Sequence, residues 1–481
     1  MHRFPFRNRA PRRVRTTVLL LLAVVLGLAT VGSYRAPTAE AAPSAAAGQS
    51  ADPAADRAAA RRVQQRIHAP VIPARQYRIT DFGAVGDGVS DARPAITAAI
   101  AQASRRGGGH VVLPAGTWFS KGPIDLASSI DLHLSAGATL LFSPAAADYL
   151  PAVKTRWEGT EMYGYSPLVY ARDVHDVSIT GTGVIDGNAD SEFVGWHDRQ
   201  AADQAAVHKM GFDGVPVEQR VFAAGHYLRP SAVQFFGATR VLLQDYTIHN
   251  SPFWINHLVY TDQATVRNLV VDSHIANNDG VDVDSSTDVL IEGNTFRTGD
   301  DSVVVKSGRD LDGRLIGRPS RDVVVRDNDM GGEDGIALGS EMSGGISNVY
   351  FVHNVLRNGA SAIRFKGNLD RGGTVEHIRV MDMQVESFDT FIWFQLNYPG
   401  DLGGNFPPTY RDIVFSDITV ASADKVLIAH APEATPLSDV LLRNVTVDEA
   451  NSSLELENVQ RLRFQDVRIN GDRVDGSLDW K

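Results

Sequence analysis

The sequence predicts an all-β protein of the parallel β-helix class, a solenoid of short stacked strands with a short N-terminal capping helix. The first observation is a set of four segments that align residue for residue: Asp279-Gly280-Val281-Asp282-Val283-Asp284-Ser285, Asp301-Ser302-Val303-Val304-Val305-Lys306-Ser307, Asp334-Gly335-Ile336-Ala337-Leu338-Gly339-Ser340 and Ser361-Ala362-Ile363-Arg364-Phe365-Lys366-Gly367. Each is apolar at its third and fifth positions and variable, often charged, at its fourth and sixth, the period-two signature of a strand with one buried face. The second is an eight-residue pattern (apolar, any, apolar, polar, small or polar, apolar, any, apolar) starting at Val241, Ala264, Val289, Val323, Val349, Ile378, Ile413, Val440 and Leu462. Its starts lie 22 to 35 residues apart, the range of a solenoid whose length differences fall in loops. The chain lacks the Leu-x-x-Leu-x-Leu period and the helix per repeat of leucine-rich solenoids.

At 481 residues the chain is too long for one ordinary compact core, a limit that a repeat protein escapes because each repeat packs only on its neighbours. The N-terminus reads as a secretory signal peptide over residues 1–41: six arginines from Arg3 to Arg15, an apolar run from Val18 to Val31, and Ala39-Glu40-Ala41 as a small-x-small cleavage site. Arg12-Arg13 is a twin-arginine pair, although Arg15 stands where such signals carry an apolar residue. The expectation is a secreted protein, soluble after cleavage and without a membrane anchor. Cleavage after Ala41 takes seven arginines and Glu40 from 46 basic and 57 acidic residues, which leaves 39 against 56, a net charge of −17. Nucleic acid is therefore excluded as a partner. With no cysteine, stability comes from stacking and burial, and cysteine-based zinc sites are excluded.

Residues 42–75 read as an Ala-rich linker with a short helix around 56–68, and residues 76–481 as the β-helix catalytic domain. Order begins at Tyr77, with Gly86-Asp87-Gly88 as a turn. Asp91 is placed to N-cap a helix that has Pro94 in its first turn, an Ile96, Ala99, Ile100 and Ala103 stripe, and Gly107-Gly108-Gly109 at its end. That helix suits the open end of a stack. Strands are predicted at 110–113, 130–134, 139–142 and 177–180. Insertions at 191–227, 309–320 and 398–410 are expected to wall a cleft.

With neighbouring strands one ladder step apart, about 4.8 Å, Asp301 falls between Asp279 and Asp334, and Asp300 between Asn278 and Glu333. Arg364 and Lys366 leave the same sheet two coils beyond. Paired carboxylates on one cleft are what glycoside hydrolysis needs, one protonated to donate to the leaving oxygen and one ionised to activate water or attack carbon. Like-charge neighbours should raise the proton affinity of Asp300. Two other readings stay open. Asp and Asn at coil corners satisfy turn amides, and Asp279, Asp282, Asp284 and Asp301 offer oxygen ligands for calcium. Arg364 and Lys366 are equally readable as ordinary solvated charge.

Asn278-Asp279-Gly280, Gly299-Asp300-Asp301 and Arg364-Phe365-Lys366 together resemble the active-site set of the polygalacturonase family, glycoside hydrolase family 28. Residues 79–84, Arg156-Trp157-Glu158-Gly159, residues 181–187, Arg229-Pro230 and Ser251-Pro252-Phe253-Trp254 extend the resemblance over nearly the whole chain beyond the linker. The resemblance implies a right-handed β-helix that hydrolyses a pectic poly- or oligosaccharide with inversion, without cofactor or metal. It makes Asp300 the general acid and Asp279 and Asp301 the residues that hold and activate water. Arg364 and Lys366 would bind the sugar carboxylate, with Asn278 and Glu333 as further substrate contacts, and Lys306 is a further candidate because it lies on the same strand face. Residues 307–310 and 339–345 resemble the bacterial branch that includes exo-acting enzymes. Gly332-Glu333-Asp334-Gly335 departs from the family's Gly-His-Gly, which makes the subsite less hospitable to a galacturonate carboxylate and turns the expectation towards rhamnogalacturonan or a substituted galacturonan. The rivals are a calcium-dependent pectate-lyase-like enzyme and a non-catalytic carbohydrate-binding β-helix. A monomer is expected.

Overall fold

The computed structural model describes residues 52–400 and 402–481. The expected signal peptide and the first part of the expected linker lie outside them. No helix among the described residues is long and apolar enough to cross a membrane.

The eight-residue pattern is the corner of a coil. In each of its nine copies the fifth residue (Asp245, Asn268, Gly293, Asp327, His353, Asp382, Asp417, Asn444 and Asp466) has a φ between 50° and 71°. Left-handed backbone is tolerated best by Gly, Asn and Asp, which is why the sequence is small or polar there. The pattern therefore spans two strands that turn about this residue, such as Thr239–Gln244 and Thr247–His249. Inside the corner, three coils depart from the apolar sixth position with Asn294, Asn328 and Asn354, all buried. These stack as a ladder: Asn294 Nδ2 donates to Asn328 Oδ1 at 2.8 Å, and Asn328 Nδ2 to Asn354 Oδ1 at 2.9 Å.

Strands of successive coils pair in parallel and in register, as Val233↔Asn256, Asn256↔Val281, Val281↔Val303 and Val303↔Ile336 do on the face that carries the site. The core runs the length of this stack and is filled by the inward alternate residues, among them Val281, Val283, Val303, Val305, Ile336 and Leu338. Within this stack, among the described residues, the last strand, Asp472–Trp480, is the one that pairs antiparallel.

Helix α1 (Pro53–Arg66), with Asp52 accepting from the Ala54 amide, lies at the short helix expected around 56–68. Ala60 and Val63 pack on Leu290, Val324, Tyr350 and Met381, while Arg57 pairs with Asp382 and Asp417 at 2.7 and 2.8 Å and Arg66 with Asp288 at 2.7 Å. The helix thus straps the outer face across several coils. Helix α2 (Arg93–Arg105) buries the Ile96, Ala99, Ile100 and Ala103 stripe against the first coils, as a cap. Its N-cap is Ala92, one residue after the predicted Asp91, whose carboxylate accepts from the Arg93 amide at 3.0 Å.

The Asn328 carboxamide makes four of these buried bonds, including those to the Asn294 amide and the Ile291 carbonyl. Asn328→Ala should cost about 2–4 kcal/mol, because orphaned partners stay buried. Calorimetry reads this as a lowered Tm, and an unchanged Tm would show that the ladder contributes nothing.

Candidate active site

The Val281–Asp284, Val303–Lys306, Asp334–Leu338 and Val355–Lys366 strands stack on one face, and the residues just before or on them form the floor of a cavity of about 450 Å³. The backbone bonds Gly280 N to Asp301 O (2.9 Å) and Ser302 N to Asp334 O (2.9 Å) place Asp279, Asp301 and Asp334 side by side. Gly280 is required for this approach, since a Cβ there would stand 2.4 Å from the Ser302 carbonyl oxygen. One oxygen each of Asp279, Asp300 and Asp301 lies within 4.8 Å of the others. Asp279 and Asp301 are buried, whereas Asp300 is partly open. Asp300 Oδ1 accepts from the Asp301 amide at 2.9 Å and Oδ2 from Asn277 Nδ2 at 3.4 Å, which hold its carboxyl towards the cavity it lines.

Burial, reinforced by Asp300 and Asp282, pushes the Asp279 carboxyl well above the usual range. Burial also drives Asp301 up to about 8 against the pull of Lys366. Lys366 Nζ donates to both Asp301 oxygens, at 2.8 and 2.9 Å, and lies 3.3 Å from Asp334. Burial opposes the charge on Lys366, but Asp301 and Asp334 outweigh it and hold the ammonium well above its ordinary value. Burial likewise opposes the charge on Asp334, which Lys366 and Arg364 nevertheless hold below the usual carboxylate range.

Of the other residues expected at the site, Lys306 lines the cavity, 3.1 Å from Glu341 and 3.8 Å from Asp279, with its ammonium over the Trp254 ring. Arg364 stands beside the lining, bonded to Asp334 and Gln395 and lying over Trp393. Two expectations are corrected. Asn278 is fully buried, donating to the Ser251 and Phe253 carbonyls and accepting from Ser273 and the Ile275 amide, so it holds the floor and has no face for substrate. Glu333 is exposed and does not line the cavity. Loss of water around its carboxyl, with Asp300 and Asp334, raises its proton affinity.

The walls come from the insertions. Helix α3 (Ala201–Phe212) is anchored by Val207 in a small core with Trp157, Phe253 and Trp254, which turns Gln204 and His208 to the cavity. The hairpin of Val153–Trp157 and Thr160–Gly164 brings Glu158 to His208 Nε2 at 2.9 Å. Gly159 (φ +76°) closes that turn where a Cβ would meet Glu341 and Arg309. Arg309, just before α4 (Asp310–Ile316), pairs with Glu341 at 3.2 Å, and Tyr398, Pro399, Gly400 and Leu402 add to the lining. Glu158, His208, Trp254, Arg309 and Glu341 were absent from the sequence-derived site. Glu158, Trp254, Arg309 and Glu341 sit in the stretches that carried the family resemblance, which was the available signal; His208 had none.

Asp279, Asp300 and Asp301 have the donor set of a hard-cation site, but Lys366 already takes both Asp301 oxygens. Asp282 and Asp284 do not join them: Asp284 pairs with buried Arg156 at 3.0 Å instead.

The model of glycosyl hydrolases family 28 matches residues 152–467. The chain belongs to glycosyl hydrolases family 28. A second model, rhamnogalacturonase A/epimerase, pectate lyase-like, matches residues 77–150. Among solved structures, a hyperthermoactive exopolygalacturonase from Thermotoga maritima is 38% identical with a TM-score of 0.85, over 89% of this chain and 100% of that one. A probable polygalacturonase of Vitis vinifera is 29% identical over 78% of this chain and 74% of its own, and an endo-polygalacturonase of Pectobacterium carotovorum subsp. carotovorum 26% identical over 71% and 80%. The protein is a right-handed parallel β-helix and a family 28 glycoside hydrolase, an enzyme of O-glycosyl bonds. Family membership does not favour the lyase or the binding-only reading.

Asp279 gives a pH-dependent prediction. Its folded-state proton affinity is raised, so its contribution to stability is full below the unfolded carboxyl value of about 4 and is lost as pH climbs towards the folded value. Asp279→Asn mimics the protonated form, so its Tm relative to wild type should rise steadily from pH 5 to pH 9. A Tm difference that does not change with pH would remove the buried-carboxyl account.

Proposed function

We propose that this family 28 enzyme hydrolyses a pectic poly- or oligosaccharide from a chain end, with Asp300 as general acid and Asp279 and Asp301 holding the attacking water. The observation that carries this is the gathering of three carboxylates on one cavity floor, of which only Asp300 is open to a leaving oxygen. In the step, Asp300 gives its proton to the glycosidic oxygen as the bond to the anomeric carbon breaks. Water adds to that carbon, and its proton passes to Asp279 or Asp301. Raised proton affinity makes these buried carboxylates stronger acceptors once ionised. The pectic substrate is supported by the polygalacturonases to which the chain is similar. Exo action is supported by the insertions that line the cavity, α3, the Glu158 hairpin, and Tyr398, Pro399, Gly400 and Leu402, and by the relative named an exopolygalacturonase.

Asp300→Asn should lower kcat at least about a hundredfold while the fold is kept. Near-wild-type turnover would take the acid role away from Asp300. Inversion is part of the proposal by family. One observation favours a second reading: the carboxylate oxygens lie within 4.8 Å, closer than the 6.5–9.5 Å expected of an inverting pair and nearer the roughly 5 Å of a retaining one. Here the water would sit beside two carboxylates and not across from one. Proton NMR of the first-formed anomer decides between the two, and product sizes over time decide chain-end release against random cutting.

Export is the remaining part of the reading, resting on the Arg-rich start, apolar run and Ala39-Glu40-Ala41. The N-terminus of protein recovered from culture medium tests it, and an intact Met1 there would count against cleavage. A monomer is proposed because α2 covers one end of the stack and an antiparallel strand the other. Light scattering giving a dimer mass would overturn that.

A further inference from the structure

In the sequence, Arg364 and Lys366 suit the capture of a substrate carboxylate. In the structure a carboxylate is already there, and the protein supplies it. Asp334 Oδ2 lies 3.1 Å from Arg364 Nη1 and 3.3 Å from Lys366 Nζ, and Asp334 is 1% exposed. Other groups of the protein engage Lys366 and the second Arg364 amino group, while Arg364 Nε has no hydrogen-bond partner. Lys366 donates to both oxygens of Asp301, and the other Arg364 amino group donates to Gln395 at 2.5 Å. Asp334, held ionised, is thus shared between the two cations, and Lys366 is bonded to Asp301 besides. The remaining cations of the lining are engaged as well, Lys306 and Arg309 both with Glu341, at 3.1 and 3.2 Å. Among the described residues that line the cavity, each Lys and Arg has a protein carboxylate within 4.0 Å.

A free galacturonate brought to Arg364 and Lys366 would meet no unpaired cation, and it would stand beside Asp334 and Asp301 where little water screens the repulsion. An uncharged ring in the same place meets only hydrogen-bonding groups and the Trp393 and Tyr398 faces beside Arg364. We infer that Asp334 is a built-in counter-ion that sets the subsite over Arg364 and Lys366 to accept an uncharged sugar ring and to reject free galacturonate. Two sources offer that chemistry: a neutral sugar within a pectic chain, and a methyl-esterified galacturonate. The inference rests on the pectic reading above, and it moves the specificity expected of Glu333 one residue on, to the side chain that touches the cations.

The test compares wild type, Asp334→Asn and Asp334→Asn/Arg364→Gln on three substrates: a de-esterified oligogalacturonide, its methyl ester, and an oligosaccharide alternating galacturonate with rhamnose. Wild type should favour one of the uncharged linkages over the free acid by about tenfold or more in kcat/KM, and which one it favours names the source. Asp334→Asn should shift the acid-to-uncharged ratio towards the acid by a similar factor, mainly through KM, and the double variant should lose that shift. If Asp334 merely braced Lys366, all three substrates would lose rate together and the ratio would stand still, which overturns the inference. So would a wild type that handles the free acid best. Asp334→Ser serves if Asp334→Asn folds poorly by its Tm. Titration calorimetry with galacturonic acid and its methyl ester reads the inference independently of turnover: a rise in relative affinity for the acid in Asp334→Asn supports it, and an unchanged relative affinity overturns it. Failure to cut any of the three, with the calorimetric shift present, would count against the pectic substrate and leave the counter-ion in place.

Discussion

Backbone hydrogen bonds fix neighbouring coils of a parallel β-helix about 4.8 Å apart, and side chains at equivalent positions inherit that distance. When the equivalent positions carry charge, the interaction is imposed by the ladder, whatever their solvation prefers. Asp279, Asp301 and Asp334 are such positions, as the Gly280 to Asp301 and Ser302 to Asp334 bonds require. Scattered on a surface these carboxylates would turn away into water. Here the core residues alternating with them, such as Val281, Val303 and Ile336, pin the strands and leave repulsion no outlet except protons and lysines.

This dependence explains what the sequence made readable. Register follows from period-two alternation, because a slip of one residue would turn Val303 and Val305 outward. Aligning the four segments therefore placed Asp300, Asp301, Asp334, Arg364 and Lys366 correctly along the stack. The corners were readable for a similar reason: left-handed backbone admits few residue types. What alternation does not encode is the direction of a residue outside a strand. Asn278 and Glu333 both precede their strands, and neither contacts the cavity. Nor does it encode distance, so Lys366 could be given a face but not its bonds to Asp301.

The walls were unreadable for another reason. Glu158, His208 and Arg309 reach the cavity from a hairpin, a helix and a loop whose positions depend on packing between insertions far apart in the chain, around Trp157, Val207 and Trp254. Insertion length marked where the walls would be and could not say which side chains face inward. Helix α1 shows the same limit with a missed clue. Leu290, Val324 and Tyr350 occupy the outward second position of three successive corner patterns, an apolar stripe that needed a cover. Ala60 and Val63 are too small a signal to identify it, and the ion pairs that complete it join residues more than two hundred positions apart.

The charge balance of the site has a consequence for the chemistry. Asp279, Asp300, Asp301, Asp334, Glu158 and Glu341 converge on or beside one cavity, with Lys306, Lys366, Arg364 and Arg309 among them. Carboxylates outnumber the cations, and the cations are unevenly shared. Glu341 is held well below the usual range because Lys306, Arg309 and Arg371 outweigh its burial, and Asp334 is held down by its own pair. That leaves too little positive charge for Asp279 and Asp301, where burial prevails and proton affinity rises. The cluster therefore keeps a proton at pH values where isolated carboxyls have lost theirs. A hydrolase of this design needs a stored proton for the leaving group and an acceptor for the proton of water. Under the proposed roles, uneven pairing with lysine and arginine would provide both in one cluster, with partly open Asp300 facing the cavity.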